Sequence, residues 1–396
     1  MSPILKHDGT TGICSARSRK YFKCYFEFMK TQLIFMVILF NAFLCKSQDV
    51  AIDSTKDKGK VEITPWTEIK NDLPSLTFPG QLISDGKIFY IIFSRVPSAS
   101  ASAFFVSNNF CKNWQNKTDG FPSLNGDSPS LLADGAKLIL GTQSKIYTCE
   151  NMTEGWKKSE SIPEFMSADQ VQLASGKKIT VAAIGNELFL SSDHGATWSE
   201  KKCGLKKGWD TIESISTNDS MIVISGIAAT YDSLNHLTGI GNFLLLTEDG
   251  GMSWQRRQNL PYFQSLTSTS LNIVGTNIFL DTKFGLYKST DKGLSWKACT
   301  GFPGQLPDGT IEHLLSRTSG STILRSGANI FYGNSMGVFL SFDDGETFTE
   351  ADAKDLRNGV NSLVISGPDI FAFTHGNKTW SAPLKELETF ARKNKK

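Results

Sequence analysis

Short apolar runs recur along the second half of the chain, each followed closely by a polar octapeptide and then by a short polar stretch ending near a proline. The runs LFL, LLL, GLY and VFL precede octapeptides that begin at Ser191, Thr247, Ser289 and Ser341. The segments WSEKKCGL, WQRRQNLP and WKACTGFP carry the chain out of the first three. Apolar runs this short, bounded by Gly, Asp and Ser, predict strands, and an octapeptide between two of them predicts the turn of a β-hairpin.

The octapeptides read SSDHGATW, TEDGGMSW, STDKGLSW and SFDDGETF, so all four fit Ser/Thr-x-Asp-x-Gly-x-Ser/Thr-aromatic. Their fixed positions are Ser191, Asp193, Gly195 and Trp198; Thr247, Asp249, Gly251 and Trp254; Ser289, Asp291, Gly293 and Trp296; and Ser341, Asp343, Gly345 and Phe348. The chemistry suits a turn. The aspartate accepts bonds from loop N–H groups, glycine supplies a positive φ, and the aromatic ring is expected to lie flat over the hairpin. Degenerate copies begin at Ser107 (SNNFCKNW, with Asn109 and Cys111 at the Asp and Gly positions) and Thr148 (TCENMTEGW), and THGNKTW at 374–380 reads as a seventh remnant. The intact aspartates are 56, 42 and 52 residues apart, against about 40–45 residues for a four-stranded propeller blade, so seven copies predict seven blades.

The octapeptide resembles the Asp-box, or BNR repeat, of sialidases, sortilin-type receptors, a photosystem II assembly factor and some xyloglucan-active glycosidases. The resemblance spans roughly residues 61–385. It implies an all-β, seven-bladed β-propeller of four-stranded antiparallel blades, with the motif on outer hairpins away from the ligand. The motif residues above are therefore expected to be structural, neither catalytic nor metal-binding. Residues 61–74, VEITPWTEIKNDLP, repeat the Trp-polar-Leu-Pro pattern that follows each motif. They are expected to supply the missing outer strand of the last blade and close the ring, which removes an open sheet edge.

In a propeller, the loops joining strands two and three and those joining consecutive blades share the face opposite the octapeptides. Extra length falls there in SRVPSASAS (94–102), IAATYDSLNHLTGIG (227–241) and 302–319. Long loops on a rigid scaffold commonly carry binding groups. The candidate ligand-face residues are Arg95, Tyr231, Asp232, His236, Asp281, Asp308, Glu312, His313 and Arg317. Two functions compete: a binding or assembly module for a glycan, peptide or protein, and a glycoside hydrolase. Phe93-Ser94-Arg95-Val96-Pro97 is similar to the sialidase arginine motif, but a serine interrupts it, and no spacing singles out a catalytic residue. Scattered histidines predict no metal and no cofactor.

Charge and cysteine content refine this reading. The 396 residues carry 41 Lys/Arg and 39 Asp/Glu, but residues 1–47 hold seven of the bases and two of the acids, leaving a weakly acidic body of about −3. Without a basic stripe, nucleic acid is not an expected partner. The twelve uncharged residues 33–44 follow Lys30 and precede Cys45-Lys46-Ser47, the layout of a cleaved secretory signal over 29–47. Residues 1–28 then read as an over-extended start, 48–60 as a linker and 386–396 as a basic tail, either a short helix or frayed; the product is expected to be a secreted monomer. Cys111, Cys149, Cys203 and Cys299 remain after cleavage, either as buried thiols or with a Cys111–Cys149 bridge.

Overall fold

The computed structural model describes residues 64–394 except 75–80, 94–102, 123, 125–128, 136, 143–144, 151–154, 160–161, 163–169, 207–209, 234–236, 258–259, 262–269, 283, 307–320, 352–355, 357–358 and 375. The leader and linker expectations, and Arg95, His236, Asp308, Glu312, His313 and Arg317, therefore lie outside the described residues.

The described strands form seven antiparallel four-stranded sheets arranged in a ring. Blades 1 to 6 occupy 81–116, 130–158, 171–201, 211–257, 270–298 and 322–350, each built from four consecutive strands. Blade 7 takes three strands from the C-terminal end, Val360–Ser366, Asp369–Thr374 and Thr379–Pro383, and its outer strand, Thr67–Ile69, from the N-terminal side. The closing register is Thr67 opposite Ser381, Glu68 opposite Trp380 and Ile69 opposite Thr379. The architecture is a seven-bladed β-propeller.

The second strands explain why the blades stack. Phe89–Phe93 (FYIIF), Thr180–Ile184 (TVAAI) and Asn329–Asn334 (NIFYGN) are buried along their whole length, because both sheet faces meet a neighbouring blade. The core is accordingly divided into seven apolar clusters, one at each junction between blades. Each octapeptide aromatic joins the cluster shared with the preceding blade: Trp198 meets Ile139 and Val171, and Phe348 meets Phe279 and Phe302. The rings are thus wedged between blades while keeping contact with their own turns, as where Trp198 donates its indole N–H to Gly195 O (3.0 Å).

At the seam this place is filled by Trp66, which precedes the closing strand and donates its indole N–H to Ala351 O at 2.7 Å. The remnant THGNKTW is not the seventh outer hairpin. It joins the second and third strands of blade 7, on the opposite face, and the spacing of a Thr and a Trp imitated the motif. Where the hairpin would stand, the helix Leu384–Asn394 begins. Leu387 and Ala391, one turn apart, are buried in the cluster shared by blades 6 and 7. Arg392 lies 3.9 Å over the Phe342 ring. The basic segment after residue 385 is thus a docked helix as far as Asn394.

One further feature differs from expectation, and the cysteines follow the first of their two expected alternatives. The insertion in blade 4 is a two-stranded ribbon: Ile222–Tyr231 and Leu237–Thr247 remain paired out to Tyr231 opposite Leu237. All four cysteines are buried as thiols. Cys111 belongs to the junction of blades 7 and 1 and Cys149 to that of blades 1 and 2, so the two do not bridge.

Candidate functional site

The two faces of the ring have different chemistry. On the octapeptide face, polar groups are consumed locally. Ser191 Oγ donates to Asp193 Oδ1 (2.7 Å) and accepts from Gly195 N–H (2.8 Å), while Asp193 accepts from Thr197 N–H (2.9 Å) and Thr197 Oγ–H (2.6 Å). The same bonds recur from Thr247 and Ser253 to Asp249, from Ser289 and Ser295 to Asp291, and from Ser341 and Thr347 to Asp343. Burial works to raise the Asp193 carboxyl, but the Thr197 and Ser191 bonds outweigh it and bring the group down to about 2. Bonds from Ser295 hold Asp291 at about 2, and Ser253 pulls Asp249 lower still. Each carboxylate is committed to its own turn.

The motif also stitches blades together, a role not visible in the motif itself. Gly195 and Gly345 have φ of 80° and 92°, and a Cβ there would stand 2.8 Å from Ile139 Cδ1 and 2.6 Å from Phe279 Cζ of the preceding blades. The residue before the glycine reaches back as well. His194 Nδ1 lies 2.9 Å from Asp134 in blade 2, Lys292 Nζ 2.7 Å from Glu248 in blade 4, and Asp344 bonds Asn277 and Lys288 in blade 5. In the degenerate first copy, Cys111 takes the glycine position at φ 62° and still donates its N–H to Ser107 Oγ (3.1 Å), while Asn109 accepts from Asn113 N–H (3.0 Å).

The opposite face carries the ends of the innermost strands, whose edges line the channel. Of the ligand-face candidates, Asp281 is buried within the second strand of blade 5, opposite Ser270 and Leu286. Asp232 is exposed beyond the blade 4 ribbon that Tyr231 ends. These three stand on a strand and a ribbon tip of different blades, and among the described residues no group of three His, Cys, Asp or Glu could hold a metal.

Sequence reasoning missed how the inner strands are finished. Their free edges would leave N–H groups unpaired. Polar side chains of the preceding blade satisfy several of them: Ser362 Oγ accepts from Leu82 N–H (3.2 Å), Gln81 Oε1 from Leu131 N–H (3.0 Å), Ser130 Oγ from Leu173 N–H (3.2 Å) and Ser214 Oγ from Leu271 N–H (3.0 Å). In blades 4 and 7 a register shift immediately precedes that serine, so Glu213 and Asn361 are extra residues at equivalent places near the loop end of the channel. Burial pushes the half-buried Glu213 carboxyl up. Both amide atoms of Asn361 are buried without a partner, as are Ser321 Oγ, Asn334 Nδ2 and Asp210 Oδ1 at the same end of their blades. The legible signal would have been a polar residue beside serine in an inner strand, as in IESIS and VNSLV.

No family model matches the chain, and no curated protein matches it. Solved structures do. A structure described as YCF48 bound to D1 peptide aligns over 82% of this chain and 96% of that one, at 11% identity and a TM-score of 0.51. The extracellular domain of the putative one component system BT4673 from B. thetaiotaomicron aligns over 80% of this chain and 40% of that one, at 14% identity and a TM-score of 0.53. At such identities the likeness is one of fold: this chain shares the propeller architecture of these proteins.

Proposed function

We propose that the protein is a binding or assembly module that takes a peptide or protein segment on the loop face of the ring. The observation that carries this reading is the contrast between the faces. The octapeptide carboxylates spend their hydrogen-bonding capacity on their own turns, and the unpaired atoms there are the indole N–H groups of Trp114, Trp254 and Trp296, whereas unpaired amide, hydroxyl and carboxylate atoms, those of Asp210, Ser321, Asn334 and Asn361, lie at the loop end of blades 4, 6 and 7. The propeller whose solved structure is described with a bound peptide supports the choice of a peptide. Hydrolysis draws no comparable support: Asp281 stands in a strand of blade 5 and Asp232 beyond the ribbon of blade 4, and Asp308 and Glu312 lie outside the described residues. Export through the apolar segment 33–44 is part of the proposal, and N-terminal sequencing of the product should begin at Gln48.

The test is to screen the full chain against a peptide array and a glycan array side by side. Peptide retention should fall on Thr211→Trp, an exposed position at the loop end of blade 4, and persist in Met252→Glu on the octapeptide face. Retention of glycans alone would replace this reading.

A further inference from the structure

Glu213 and Asn361 are placed by the same device. Each is the extra residue of a register shift, one step before a serine that ties the next blade, in blades three steps apart around a ring of seven. Register shifts re-aim side chains, and they are concentrated at functional rims. Among the described residues, the unpaired groups on the two sides of the mouth differ in charge. Blade 4 brings Asp210 and Glu213, and Asp210 Oδ1 is buried and unpaired although Oδ2 accepts from Lys206 N–H (2.9 Å). The unpaired groups described in blades 6 and 7 are neutral. Asn334, 1% exposed, accepts from Met336 N–H at 2.8 Å but leaves Nδ2 unpaired, and Ser321, whose Oγ is also unpaired, precedes Thr322, which stands opposite Gly333. Asn361 joins them because Gly333 packs directly on the neighbouring blade: a Cβ there would lie 2.7 Å from Leu363 Cδ1 and 3.1 Å from Val360 Cγ1.

We propose that the loop-side mouth of the channel binds an extended peptide segment carrying one cationic side chain, with Glu213 pairing the cation and Asn361 hydrogen-bonding the peptide main chain. This rests on the reading of the protein as a peptide-binding module and names what the peptide must contain. A buried polar atom without a partner costs roughly 1–3 kcal/mol, so a ligand that pairs several gains affinity by removing that cost. An asparagine amide offers one donor plane and one acceptor, the complement of a peptide C=O and N–H. A partly desolvated carboxylate gains from a cation, whereas a neutral sugar would give it only hydroxyls.

The experiment titrates the full chain into fluorescein-labelled nonapeptide pools, randomised except for a central Arg, Lys, Leu or Glu, and reads fluorescence anisotropy. Arg and Lys pools should bind on the order of tenfold more tightly than the Glu pool, and added salt should narrow the gap. Glu213→Gln should bring the pools to within about twofold of one another, and Glu213→Lys should favour the Glu pool, which loss of folding would not do. Asn361→Ala should weaken all pools about equally, by several-fold. Binding whose charge preference survives Glu213→Gln overturns this inference and leaves the peptide-binding reading standing. Binding by none of the pools, with retention on a glycan array, overturns both.

Discussion

At the scale of single residues, the octapeptide glycine answers two demands at once. It holds a left-handed backbone, and it lets a hairpin approach the neighbouring blade more closely than any side chain permits. Gly345→Ala would force its Cβ against Phe279 at φ 92° and should destabilise by about 2–4 kcal/mol. Gly86→Ala, at φ 94° with open space around it, should cost only about 1–2 kcal/mol. Thermal or urea denaturation of the two variants separates packing from backbone strain, and equal costs would remove the packing role. The aspartates give a second expectation. Asp193 and Asp291 lie near 2 when folded, against an ordinary value of 3.8. The unfolded chain therefore binds protons first as pH falls, so these groups contribute their full stabilisation above about pH 4 and lose it towards pH 2. Asp193→Asn should flatten the decline in melting temperature across that window; an unchanged slope would show that the turn does not depend on the charge.

At the scale of elements, the fold was legible wherever the local pattern repeats. Four octapeptides carry their own turn chemistry, so Asp193 and Gly195 announce a hairpin without help from the rest of the chain. What the sequence could not show is contact between repeats. The motif places a tryptophan eighth but says nothing of Ile139 beneath it, and THGNKTW looked like a hairpin because Thr374 and Trp380 have similar spacing while their strand positions differ. Trp66 carries no octapeptide, yet it occupies the equivalent wedge. Trp66→Ala should therefore destabilise like Trp198→Ala, by about 3–5 kcal/mol each, in chemical denaturation. The last segment was open between a short helix and a frayed tail, and Leu387 and Ala391, spaced one turn apart, are the buried face that decides for the helix. Leu387→Ala should cost about 2–5 kcal/mol, and a neutral substitution would return the helix to the status of an appendage. The proposed binding face was least legible, because Glu213 and Asn361 owe their positions to register shifts, which depend on the partner strand.

At the scale of the whole molecule, stability depends on a seam joined by few bonds across a long stretch of chain. Thr67–Ile69 pairs with a strand about three hundred residues away. Around it, Asp72 accepts from Trp114 N–H (2.8 Å), Ser366 Oγ donates to Gly86 O (2.8 Å) and Lys378 meets Glu68 (3.2 Å). Blade 7 is tied to blade 1 on one side, and through Trp66 to blade 6 on the other. Without this segment, the strand Thr379–Pro383 becomes an exposed edge, and the cluster shared by blades 6 and 7 loses Trp66, one of its two tryptophans. Deleting residues 1–63 should leave a cooperative, monodisperse protein, since the seam contacts of the described residues begin at Trp66. Deleting residues 1–75 should abolish cooperative unfolding and give aggregates in size-exclusion chromatography. Because closure brings together the most distant parts of the chain, its contacts are expected to form late in folding, so Trp66→Ala should chiefly accelerate unfolding and leave the folding rate nearly unchanged. If Trp66→Ala instead slows folding while Trp198→Ala does not, the ring must be assembled from its seam outward.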